Sequence, residues 1–116
     1  MPLKRKIQIK KITKKQSEIN RNLKNVYHQI DIDRPKFCTG CLSNQQLSHS
    51  HLVPRSYNRD LVCVEKNIAI HCMSCHKKWE RGVDVEDMLD FDRSMKILKE
   101  LDTSYYKIRQ AKLICP

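Results

Sequence analysis

"KNIAIHCMSCHKKWE", Lys66 to Glu80, changes its periodicity half-way. Asn67 to Cys72 reads as a short strand; from Met73 the pattern is helical and ends near Gly82, a residue suited to closing a helix. The changeover falls on a C-x-x-C pair, Cys72 and Cys75, so a strand passes into a helix at two thiols. His76 and Glu80, four residues apart on that helix, share a face and are placed to clasp one hard cation.

A second C-x-x-C pair, Cys38 and Cys41, stands thirty residues upstream in "KFCTGC", a tight turn with Gly40 between the thiols. In a reducing compartment paired thiols at this spacing read as metal ligands. Zinc takes four such donors in a tetrahedron, and a closed set leaves no position for substrate. Cys38, Cys41, Cys72 and Cys75 are the expected structural Zn²⁺ site; a redox pair or an iron–sulfur cluster would use the same residues. Cys63, alone in "LVCVE", reads as a small buried apolar residue. Cys115 has no evident partner.

Between the pairs lies "HSHLVPRS", His49 to Ser56. Leu47 to Val53 alternates as a second short strand stopped by Pro54, and "RSYNRDLVCVEK" after it is polar and irregular, a loop of the binding kind. Upstream, "TKKQ" (Thr13 to Gln16) fits a capping box, and Ile19, Leu23, Val26 with Tyr27, and Ile30 predict a helix over 14–29, closed before Pro35. Downstream, Phe91, Met95, Leu98 and Leu101 share a helical face. Asp102 to Ser104 then caps a last helix carrying Tyr105, Ile108 and Ala111.

The chain has 116 residues, 40% apolar, with only two glycines, enough for one domain with a modest core. Its formal charge is +10, from 23 Lys and Arg against 13 Asp and Glu. Met1 to Gln29 holds nine basic residues and one acid, Glu18. That asymmetry is the footprint of a nucleic-acid partner. Residues 1–16 are read as a basic arm and 17–116 as one domain, with its core over 37–81. No apolar run nears the ~20 residues of a membrane span, and no signal peptide is evident, so the expected location is the cytoplasm.

"SHLVPRS" and "KNIAIHCMSCHKKWE", framed by "CTGC", together resemble the HNH endonuclease family in its zinc-stapled form. The resemblance covers Phe37 to Arg81, a little over a third of the chain. It implies an α+β fold: a ββα-metal module with a four-cysteine zinc, flanked here by an N-terminal helix and C-terminal helices. It implies hydrolysis of DNA phosphodiesters, as a nick or a double-strand cut, with Mg²⁺, Mn²⁺ or another divalent cation. His51 corresponds to the general base that activates water, and Asn67 to the residue holding the loop that orients it. His76 corresponds to a catalytic-metal ligand, and Glu80 to a position that supplies a second ligand in some relatives. Small free-standing members are often phage-encoded.

One position departs from the family. The residue before the base is commonly Asp or His and ligates the catalytic metal; here it is Ser50, a poor ligand. His49 is the candidate replacement ligand or a phosphate contact. Arg55 and Arg59, with Lys77 and Lys78, are the candidate DNA contacts. A silent zinc module that binds DNA is the competing reading, with Ser50 as its best argument. His28 is expected to be structural, and His71 receives no role.

Overall fold

A computed structural model describes residues 13–114. The arm up to Ile12, and Cys115, lie outside the described residues. Among these residues the fold is α+β, with four α-helices and one two-stranded antiparallel sheet, in the order α1 (Lys14–Asp33), β1 (Leu47–His51), β2 (Ile68–Cys72), α2 (Met73–Arg81), α3 (Phe91–Leu101) and α4 (Thr103–Ile114). None of these helices is long and apolar enough to cross a membrane.

Thr13 caps α1 by accepting from the Gln16 amide at 3.1 Å. The helix runs four residues beyond the expected 14–29. Pro35 restricts only its neighbour Arg34, which takes the extended conformation while its amide still donates to the Ile30 carbonyl. Leu23 and Ile30 face the sheet and pack with Val62, Ile68 and Ile70.

The strands pair Leu47 with Cys72 and His51 with Ile68. β1 ends at His51, short of Val53, because Asn67 takes over there. The Asn67 side chain accepts from the Val53 amide at 2.8 Å and donates to the Val53 and Leu61 carbonyls at 3.2 and 3.1 Å. A fully buried amide with three backbone bonds fixes both ends of the segment from Val53 to Leu61. The polar stretch from Arg55 to Lys66 is less loop-like than its composition implies: two 3₁₀ turns, Arg59–Leu61 and Glu65–Asn67, shape it, and Val62 is buried under α1. Asn67→Ala should cost about 3 kcal/mol, since it orphans buried backbone groups. Urea denaturation measures this, and an unchanged midpoint would refute the clamp.

On the other face, Trp79 of α2 is buried and donates its indole N–H to the Leu52 carbonyl at 3.1 Å. Gly82 closes α2 in the left-handed conformation, as its sequence position predicts. α4 packs differently from expectation. Tyr105 and Arg109 are buried, whereas Ile108 and Ala111 are exposed. Arg109 reaches the Trp79 carbonyl at the end of α2 and lies over the indole ring, 4.2 Å from its centroid. The Gly82 amide also donates to that carbonyl, at 3.3 Å, so Arg109 adds a second, charge-assisted bond at the helix C-terminus, where a cation is favoured.

Candidate metal centre and catalytic cleft

The four expected cysteines are positioned to hold one metal ion. Their sulfur atoms all lie within 4.8 Å of one another. Cys41 Sγ and Cys72 Sγ are 3.6 Å apart, close to the ~3.8 Å edge of a tetrahedron with ~2.3 Å zinc–sulfur bonds. The sequence explains the convergence. A Cβ on Gly40 would meet Cys75 Sγ at 2.9 Å, so glycine is required here for space. The Gly40 amide points at Cys38 Sγ at 3.3 Å. Cys72 is also the N-cap of α2, where the helix dipole favours a thiolate. Burial would raise Cys72, but the Cys75 amide and the neighbouring thiols outweigh it and bring the group down to about 7. Burial and the same neighbours push Cys75 strongly up. Four sulfurs this close cannot all be thiolates without a cation among them.

His71, to which the sequence assigned nothing, is fully buried beside this centre. Its Nε2 bonds Asp90 Oδ2 at 2.9 Å, and the Thr39 hydroxyl donates to the same oxygen at 2.6 Å. Burial alone would raise the Asp90 carboxyl; the bonds from His71 and Thr39 hold it below its usual range. The network ties the Cys38–Cys41 turn to β2 and to the start of α3. His28 is exposed on α1 and Cys63 is half-buried against it.

A cleft of about 580 Å³ gathers His49, His51, Arg55, His76 and Glu80, with Tyr27, Trp79 and Tyr105 in its walls. His51 Nε2 lies 2.9 Å from the Val62 carbonyl. A carbonyl only accepts, so Nε2 carries the proton and Nδ1 keeps its lone pair. Burial lowers the His51 pKa; the Val62 bond opposes this, and Arg55, His76 and His49 reinforce it. The ring is therefore held neutral and basic. Asn67 acts on it indirectly, by fixing the segment that ends beside Val62.

His76 is held at both nitrogens. Ser48 donates its one hydroxyl proton to the His71 carbonyl at 2.9 Å, so His76 Nδ1 is the donor to Ser48 Oγ at 2.7 Å. Nε2 then faces Glu80 Oε1 at 2.9 Å. A ring lone pair opposite a carboxylate calls for a cation between them, a proton or a metal ion. Two donors 2.9 Å apart fit neighbouring positions on an octahedral ion with ~2.1 Å bonds.

The remaining candidates separate. Ser50 is fully buried, its hydroxyl has no protein partner, and it does not line the cleft. His49 turns to α1, where it bonds Asp31, and among the described residues no group of three or more ligand-type side chains besides the cysteines is compact enough for one ion. Arg55 lines the cleft; Arg59, Lys77 and Lys78 do not. Sequence reasoning missed Ser48, Tyr27 and Asp31. The i, i+4 spacing of Tyr27 and Asp31 was the available signal, hidden because Tyr27 fits the apolar stripe of α1.

A larger groove of about 720 Å³ lies along β2 and α3, but it offers no histidine, and its acids Asp90 and Glu100 are bonded to His71 and Lys66. No family model, curated protein or solved structure matches the chain.

Proposed function

We propose that the protein is a metal-dependent HNH endonuclease that hydrolyses DNA phosphodiesters, with a structural zinc on Cys38, Cys41, Cys72 and Cys75. The observation that carries this reading is His51, fixed by a backbone carbonyl in the tautomer that leaves Nδ1 basic, in one cleft with the His76–Glu80 pair. His51 takes the proton from the attacking water, and burial keeps it unprotonated for that task. Asn67 holds the backbone that sets its orientation. Arg55 neutralises the phosphate charge at the mouth of the cleft. His76 and Glu80 would hold the catalytic divalent cation, whose contribution is Lewis-acid stabilisation of the charge on the phosphoryl oxygens and leaving group. A base has to be free to act, so cleavage should fall as pH drops through the His51 pKa. Its acid limb should lie below the usual histidine value of about 6.5.

The test is plasmid nicking by the zinc-loaded chain with Mg²⁺ or Mn²⁺ and without either. Loss of the supercoiled form only with metal supports the reading. The buried Ser50 and the two-residue metal pair favour a second reading, a silent zinc module that binds DNA. Binding with no cleavage under any divalent metal would select it.

The basic arm has its own test. Thr13 caps α1, so the informative deletion stops at Ile12 and removes five Lys and Arg residues. The slope of log K against log salt should flatten by up to ~0.9 for each phosphate that the arm neutralises, with metal content unchanged. An unchanged slope would assign the arm to something other than DNA.

A further inference from the structure

α1 lies outside the strand–strand–helix unit, yet it supplies one wall of the cleft. The Tyr27 ring lies flat on His49, with centroids 4.0 Å apart and planes 5° from parallel. Asp31, one turn further along α1, bonds His49 Nε2 at 2.8 Å. The stacking fixes the plane of the imidazole and the carboxylate fixes its rotation within that plane. A carboxylate accepts, so Nε2–H is committed to Asp31 and Nδ1 is the atom left for a ligand. The His49 side chain is 23% exposed, accessible from a cleft that also holds Arg55 and the base His51.

We infer that Tyr27 and Asp31 are positioning residues that hold His49 as a phosphate contact, giving the cleft a grip on the DNA backbone that needs no metal. The inference rests on the nuclease reading for its substrate and goes beyond it by assigning α1 a part in binding. A metal-ligand role for His49 fits the geometry less well, because His49 is oriented by α1 and forms no compact ligand group with His76 and Glu80. A phosphate oxygen is the matching partner. With Nε2–H engaged by Asp31, the ring meets a phosphate oxygen through Nδ1–H as the imidazolium, a charge-assisted hydrogen bond. The scissile phosphate is reached by His51, two residues along the same strand, so His49 serves that phosphate or its neighbour.

The experiment uses the full zinc-loaded chain and a short DNA duplex. Affinity is measured by fluorescence anisotropy without Mg²⁺ or Mn²⁺, and cleavage kinetics are measured with Mn²⁺. His49→Ala should weaken metal-free binding about tenfold, the size of one charge-assisted hydrogen bond. It should raise KM by a similar factor while kcat stays within about twofold. Asp31→Ala and Tyr27→Leu should reproduce most of that loss, whereas Tyr27→Phe keeps the stacked face and should keep the affinity. Zinc content and thermal melting check folding, and His49→Gln serves as the second variant if His49→Ala is unstable. Unchanged affinity in both His49 variants overturns the proposed phosphate grip. Weaker binding in the His49 variants alone, with Asp31→Ala and Tyr27→Leu at parent affinity, overturns the positioning role. A kcat defect restored by excess Mn²⁺, with metal-free affinity intact, makes His49 a metal ligand instead. If the parent does not cut DNA, the nuclease reading fails, and the metal-free affinities still decide the role of His49.

Discussion

Stripping the metal from the four-cysteine centre, or replacing Cys75 with serine, should unfold the chain. Cys38, Cys72 and Cys75 are themselves buried members of the larger core cluster, alongside Trp79, Leu52 and Leu98. The rest of the apolar core is divided, with a second cluster under α1. The metal site joins the Cys38–Cys41 turn, the end of β2 and the start of α2. Without the ion, burial penalises any thiolate at Cys75, and the neighbouring sulfurs must share protons in its place. Binding of a structural zinc is worth roughly 10–16 kcal/mol in small zinc domains, against a total domain stability of about 5–15 kcal/mol. The expected result with a strong chelator is loss of the cooperative thermal transition and of helical circular dichroism, both recovered on adding Zn²⁺. Elemental analysis should give one zinc per folded chain. A chelated chain that still melts cooperatively at the parent temperature would contradict the prediction.

His51→Ala should lower nicking by ~10²–10⁴, the usual range for general-base assistance, while zinc content and DNA affinity stay at parent values. The ring touches neither the cysteine cluster nor its supports, and its single protein bond goes to the Val62 carbonyl. His76→Ala should also lose activity, but by way of the cation that His76 and Glu80 are proposed to hold, so excess Mn²⁺ should restore part of it. Excess metal should do nothing for the His51 variant. This contrast separates proton transfer from metal binding with two substitutions and one titration. Parent-like cutting by His51→Ala would move the base elsewhere, with His49 the first alternative.

Much of the fold follows from local rules that the sequence states directly. The strand-to-helix changeover at Cys72, the stop at Gly82 and the cap at Thr13 each depend on a few adjacent residues, and each C-x-x-C turn is a local motif even though the two lie thirty residues apart. The His76–Glu80 pair was legible for the same reason, since i, i+4 spacing on a helix is a local property. Other features needed the tertiary structure because they depend on bonds between distant segments. Asn67 ends β1 early by bonding Val53 and Leu61 across a loop, and Arg109 turns α4 by reaching the end of α2. His71 acquires its role from Asp90, nineteen residues on. The family resemblance set expectations for Ser50 and His49 as a pair beside the base, but burial removed the first from the cleft and α1 captured the second. Sequence spacing determines which residues share a strand or a helix face. Which of them meet a ligand was decided by how α1 and α2 pack on opposite sides of two short strands.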